Sequence, residues 1–155
     1  MLKSIEGNFD HPKVNQLLEK HFIELRAASP EGSAHVLDIP GLKDPSIKFW
    51  SLWEDDHLMG CGALKFLDKD HGEFKSIRVH DDFRGIGNGI KVINGLISKA
   101  INLKIKRLSI ETGAGKLFVP ARKLFNNSGC KPCSPFLYYK EDINSLYFTK
   151  HLNNS

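Results

Sequence analysis

The run Arg84-Gly85-Ile86-Gly87-Asn88-Gly89 stands between a strand-like segment, Glu73 to Val79, and an apolar-periodic one, Ile90 to Leu103. Three glycines within five positions do not serve helix propensity; they let bare backbone approach another group or adopt positive φ. A strand feeding such a loop, which then opens a helix, aims unpaired N–H groups and the positive end of the helix dipole at one point. Such a point attracts phosphate.

Two familiar phosphate loops do not fit. A dinucleotide fingerprint needs glycine at its first, third and sixth positions, and counting from Gly85 the sixth residue is Ile90. Gly113-Ala114-Gly115-Lys116 has the end of a P-loop, but Ile110 occupies the place of its first glycine and Leu117 that of its Ser or Thr.

What remains is Arg-x-x-Gly-x-Gly at Arg84, Gly87 and Gly89. Around it stand Val79-His80, the segment Ala121 to Gly129, and the glycine-bearing β segments Gly60 to Lys65 and Leu108 to Gly113. This pattern, over Gly60 to about Tyr147, resembles the acetyl-coenzyme A loop and its surroundings in the GCN5-related N-acetyltransferase (GNAT) superfamily, in particular small bacterial members. The resemblance implies an α/β (α+β) GNAT fold: a mixed, mostly antiparallel central sheet, splayed by the cofactor, with helices on both faces.

The bulk numbers agree with one globular domain over residues 1–155, since 155 residues at 41% hydrophobic suffice for a single core. No run reaches the length of a membrane span and Met1 to Ile5 leads into no apolar signal segment, so a cytoplasmic protein with no membrane partner is expected. The net charge of +4 is spread out, with Lys99, Lys104, Lys106 and Arg107 gathered near one helix end. That cluster is read as a basic wall for the cofactor's nucleotide phosphates rather than a nucleic-acid surface. Cys61, Cys130 and Cys133 lack a second pair spaced for zinc and are read as packing thiols, so no metal is expected.

Along the chain, Leu2 to Glu6 is a short strand, and helix one begins near Asp10, its candidate cap, with Val14, Leu17, Leu18, Phe22 and Leu25 on one face. His21 flanks that stripe as a boundary residue. Ser29-Pro30 is read as a second helix start, running Glu31 to Leu37 until Pro40-Gly41 breaks it. In GNAT proteins such a segment builds the acceptor side, which makes Ser29, Ser33 and His35 candidate acceptor contacts; capping and solvation explain them equally. Ile47 to Trp53 and Leu58 to Leu67 read as paired strands, Gly60 and Gly62 marking a bulge or a close approach. Arg107 to Glu111 is a strand, Phe118 to Asn127 the last helix, and Cys130 to Cys133 pairs with Ser145 to Thr149.

Glu73 to Val79 carries the chemistry. Simple alternation puts Glu73, Lys75, Ile77 and Val79 on one face and Phe74, Ser76 and Arg78 on the other, so charges fall on both faces. A central strand covered on both sides should be almost continuously apolar; this one is not, which marks a site. Acetyl transfer to an amine asks for a held pyrophosphate, a donor to the thioester oxygen, and a route for the amine proton. By resemblance, backbone N–H groups of Gly85, Ile86, Gly87, Asn88, Gly89 and Ile90 hold the pyrophosphate, Arg84 orders the loop or contacts phosphate, Ile77 and Val79 pair with pantetheine, and Val79 N–H faces the thioester oxygen. Glu73 lies eleven residues before Arg84, the spacing of the catalytic glutamate in the histone acetyltransferase branch. Its alternative role is an ion pair with Lys75 or Lys65.

The general acid departs from the family. A Leu-Tyr pair usually closes the last helix, and here Leu124 is followed by Phe125; Phe118 stands where an Asn is common. Tyr138 or Tyr139 is then the candidate replacement, the other reading being a packed lid. Lys75 or Arg78, if one of them faces the acceptor cleft, implies an amine that also carries a carboxylate or phosphate, the alternative being a salt bridge to Glu73 or Glu111. The expected function is transfer of acetyl from acetyl-CoA to a primary amine of a small anionic metabolite, with a homodimer as the candidate assembly. Protein amine acetylation and a non-catalytic acyl-CoA sensor are the rivals.

Overall fold

The computed structural model describes residues 2–28, 37–84, 87–137 and 139–152. In chain order the elements are β1 (Leu2–Glu6), α1 (Pro12–Ala28), α2 (Ile39–Leu42), β2 (Ile47–Glu54), β3 (His57–Phe66), β4 (His71–Val79), α3 (Asn88–Asn102), β5 (Arg107–Gly113), α4 (Val119–Asn127), β6 (Lys131–Pro132) and β7 (Ser145–His151). One seven-stranded sheet runs β1-β2-β3-β4-β5-β7-β6. Among the described residues only β4 and β5 pair in parallel; the other neighbours are antiparallel. This is the mixed, mostly antiparallel sheet expected, with α3 and α4 on one face and α1 and α2 on the other. Among the described residues no helix is long and apolar enough to cross a membrane.

Each face buries its own apolar cluster. Val92, Ile93, Leu96 and Ala100 of α3 pack with Trp50, Leu52, Met59, Leu64 and Phe74 on one side. Val14, Leu17 and Leu18 of α1 pack with Phe49, Trp53, Cys61 and Ala63 on the other. The glycines of β3 permit close packing: a Cβ at Gly62 would lie 2.4 Å from Leu96 Cδ1 of α3, and one at Gly60 would lie 2.4 Å from the Arg78 carbonyl of β4 and 3.1 Å from Val92 of α3. Gly95 of α3 does the same against Leu52, where a Cβ would meet Cδ2 at 2.6 Å.

Three local expectations are corrected. His11, not Asp10, starts α1: its carbonyl accepts from Asn15 N–H and its Nδ1 from Lys13 N–H at 3.1 Å. Pro40-Gly41 does not break a helix but sits inside one, because the Asp38 carboxylate accepts from Gly41 N–H at 2.9 Å and Pro is tolerated in a first turn. The proposed helix start at Ser29 lies outside the described residues. Finally, Lys99, Lys104, Lys106 and Arg107 are at the far end of α3, about 22 Å from its glycine-rich start for 15 residues. They form no wall of the cleft; Lys106 and Arg107 border a separate depression with Asp68 and His151.

Candidate active site

The sheet opens along its parallel pair. β4 and β5 are matched only from His71 to Phe74 against Arg107 to Ile110; β4 then continues to Val79 beside β3, and β5 to Gly113 beside β7. A cleft of about 430 Å³ fills the resulting gap. It is bordered by the free half of β4, the start of α3, the end of β5, α4, and His21, Glu24 and Leu25 of α1.

One half of this cleft presents backbone. His80 N–H donates to the Met59 carbonyl at 2.8 Å, and Gly60 lies opposite Val79. Antiparallel alternation therefore turns the N–H and C=O of Val79 away from β3, toward the gap. Arg84 Nε donates to that carbonyl at 3.4 Å, and Arg84 also pairs with Asp81 at 3.2 Å. Gly87, with φ of 78°, precedes α3, and the first intrahelical bond runs from Lys91 N–H to the Gly87 carbonyl. The N–H groups of Asn88, Gly89 and Ile90 are left without intrahelical partners at the positive end of the helix. Gly85 and Ile86 lie outside the described residues. Across the gap the Phe118 ring lies on Gly113, where a Cβ would come within 2.2 Å of it, and Arg122 ties the Gly113 and Gly115 carbonyls together at 2.8 and 2.9 Å.

The other half presents side chains, and a β-bulge arranges them. Lys75 lies opposite Ala63 and Arg78 opposite Cys61, so Ser76 and Ile77 both face Gly62. Ser76 adopts φ of 56°, a left-handed conformation costing a serine about 1 kcal/mol or more. The inserted residue resets the alternation. Glu73, Lys75 and Arg78 share the α1 face with their β3 partners Lys65, Ala63 and Cys61, while Phe74, Ile77 and Val79 pack toward α3. The expectation of charges on both faces was therefore wrong: the bulge collects them on one.

Glu73 is only 1% exposed. Tyr139 OH donates to its Oε2 at 2.5 Å, and Lys75 Nζ lies 3.3 Å from the same oxygen and 3.1 Å from the Tyr139 hydroxyl. Tyr139 comes from the β6–β7 loop, held by Phe136 and Tyr147 at ring distances of 5.1 and 5.5 Å. It is thus both a packed residue and a partner of the candidate base. Arg78 is buried as well; its Nη1 donates to Glu24 at 2.7 Å and its Nη2 to Asp81 at 3.2 Å. Lys75 takes the pairing with Glu73 allowed for in the sequence, whereas Arg78 pairs with carboxylates the sequence did not single out. The Arg78 hydrogen bond holds Glu24 below the usual carboxylate range, and a Lys20 hydrogen bond does the same for Asp81.

His21 is the residue the sequence reading misplaced. It is buried rather than at a boundary, it borders the cleft, and its pKa is pushed down to about 4 by burial and then by Arg78. The signal was available: Val14, Leu17, Leu18 and His21 follow the i, i+3, i+4, i+7 spacing of one helix face. Ser29, Ser33, His35 and Tyr138 lie outside the described residues. Phe125 is 4% exposed, in the core against Phe148 at 6.0 Å, so α4 offers no hydroxyl there. Cys61 is fully buried, its thiol pushed up to about 12, which fits a packing role.

A strand edge with backbone turned into a gap, met by free donors at a helix start, suits a long ligand with phosphate partway along it; that is the class of enzymes that draw on an acyl carrier. The profile described as Acetyltransferase (GNAT) family matches residues 12–129, and the chain belongs to that family. It is 43% identical over 140 residues to YsnE of Bacillus subtilis (strain 168), described as an uncharacterized N-acetyltransferase, covering 90% of this chain and 93% of the relative. It is 35% identical over 139 residues to the similarly described YedL of Escherichia coli (strain K12), covering 90% and 87%. A GNAT family acetyltransferase from Elizabethkingia anophelis, solved with acetyl-CoA bound, shares the fold with a TM-score of 0.66 at 18% identity over 97% of this chain and 98% of that one. The protein is accordingly an acetyl-CoA-dependent acetyltransferase.

Proposed function

We propose that the chain moves acetyl from acetyl-CoA to the primary amine of a small, anionic metabolite, with residues 1–155 working as one domain. The observation that carries this reading is the burial of Glu73 beside the point where β4 and β5 part, with Tyr139 and Lys75 as its partners. Acetyl-CoA supplies the activated acyl group. The free N–H groups of Asn88, Gly89 and Ile90, with the glycine-rich loop before them, hold its pyrophosphate; Arg84 steadies the loop; and Ile77 and Val79 line the pantetheine arm. Val79 N–H, turned into the gap, donates to the thioester oxygen.

Glu73 takes the amine proton, directly or through water. Tyr139 and Lys75 are positioning residues: both contact the same Glu73 carboxylate oxygen and hold the group at the parting of the strands. With Phe125 in the core, α4 offers no tyrosine hydroxyl to the departing sulfur, which leaves as thiolate or takes its proton from water. A cleft of about 430 Å³ is within the range for small molecules. The test is thiol release across a panel of amines. Turnover that falls at least about 100-fold in Glu73→Gln supports the base; a variant as fast as the native protein removes it.

A further inference from the structure

Among the described residues, the buried side-chain polar atoms without a hydrogen-bond partner are His21 Nδ1, Ser76 Oγ, Arg78 Nε and Ser145 Oγ. Three of these four belong to residues bordering the cleft: His21 from α1, and Ser76 and Arg78 from the bulged part of β4. Leaving a buried donor unpaired costs folding free energy, and two separate elements leave theirs unpaired along the border of one cleft. His21 and Arg78 are 6% and 5% exposed, so bulk water is a poor substitute.

The chemistry of these atoms is one-sided. Arg78 Nε–H only donates; the Ser76 hydroxyl and the neutral His21 ring can each turn a hydrogen toward an anion. The charges around them are also unequal. Lys20, Arg78 and Arg84 are linked through Asp81 and Glu24, three cations against two carboxylates. One positive charge remains, which a monoanion balances and a phosphate dianion would overshoot beside Glu24 and Asp81.

We propose that His21, Ser76 and Arg78 bind the carboxylate of an amino-carboxylate acceptor while its amine is directed to Glu73. This rests on the acetyl-transfer reading above and names the anionic group left open there. Glu73, Lys75 and Arg78 occupy successive same-face positions of β4, so Glu73 and Arg78 are about 13 Å apart at the backbone, and their side chains act on the two ends of one small molecule. The unusual backbone at Ser76 gains a purpose, since the bulge brings Arg78 to the Glu73 face.

The experiment uses protein loaded with coenzyme A and measures calorimetric affinity for matched pairs: alanine and ethylamine, lysine and cadaverine, phenylalanine and phenethylamine, 5-aminopentanoate and butylamine. Phosphoethanolamine is the phosphate arm. The same compounds are assayed for acetylation with acetyl-CoA. At least one carboxylate-bearing compound should bind about 10- to 100-fold more tightly than its partner, the size of a charge-assisted hydrogen bond. Ser76→Ala should cut that ratio several-fold and Arg78→Lys about tenfold; should the latter fail to fold, Ser76→Ala still decides. No preference for the carboxylate, a preference for phosphoethanolamine, or a ratio unchanged in the variants overturns the proposal. Preferential binding without acetylation of any compound would leave the carboxylate site standing and remove the amine-acetylation reading instead.

Discussion

On the proposed reading, the carrier side of the cleft is built from backbone at Val79 and at the start of α3, Gly87 to Ile90, whereas the acceptor side is built from side chains of α1, the β4 bulge and the β6–β7 loop. The first needs glycines and a helix start, which stand in order along the chain. The second needs only that certain side chains meet in space. The difference separates a local device from a long-range one: in the proposed reading the donor is read by main chain and the acceptor by side chains brought together from three elements.

The comparison can be broken by lesions confined to one side. The largest effect belongs to Glu73→Gln, where turnover should fall about 100- to 10,000-fold while calorimetric acetyl-CoA affinity stays within about twofold. A loss of acetyl-CoA affinity as large as the loss of turnover would mean that the two sides are not separate.

His21 gives the next effect, on stability. Its folded pKa of about 4 is below the ordinary 6.5, so the unfolded chain takes up a proton first as pH falls. The sign follows: stability is full above pH 6.5 and is lost between pH 6.5 and 4, by about 3 kcal/mol at most. Urea midpoints at pH 7 and pH 4.5 should fall less in His21→Gln than in the native protein. An equal fall would show that the ring is not held neutral by burial.

Gly87→Val should weaken acetyl-CoA by about 10- to 100-fold, because a β-branched residue resists φ of 78° and the loop leading into α3 would be displaced. Among the described residues nothing lies within 4 Å of a Cβ there, so Gly87→Asn, which tolerates the left-handed region, should lose much less. Equal losses in the two variants would point away from backbone conformation. The smallest effect is Tyr139→Phe: kcat/KM should drop about tenfold through the lost hydrogen bond to Glu73, with acetyl-CoA affinity unaltered.

The glycine-rich loop and the helix it opens were legible because their signal is local. Gly87, Gly89 and the start of α3 are where the Arg-x-x-Gly-x-Gly pattern puts them, and the strand bounds moved by only a few residues. The acceptor side was legible only in fragments. Glu73, Lys75 and Arg78 stood out as charges in a central strand, but simple alternation divided them between faces, since a one-residue bulge leaves little mark beyond the glycines opposite it. The bond from Tyr139 to Glu73 spans 66 residues, and no local pattern encodes a contact of that range. His21 was misread because a titratable side chain on an apolar stripe resembles its edge. The lysine and arginine cluster after α3 was misread for want of direction, since the phosphate end of that helix is its start.

Amide proton and nitrogen shifts followed by NMR during titration with acetyl-CoA test the central claim most directly. The account predicts the largest changes at Val79, Asn88, Gly89 and Ile90, whose N–H groups face the gap or lack helix partners, with little change at His71 to Phe74, where β4 and β5 are still paired. Saturating acetyl-CoA that leaves those four amides unmoved would contradict it.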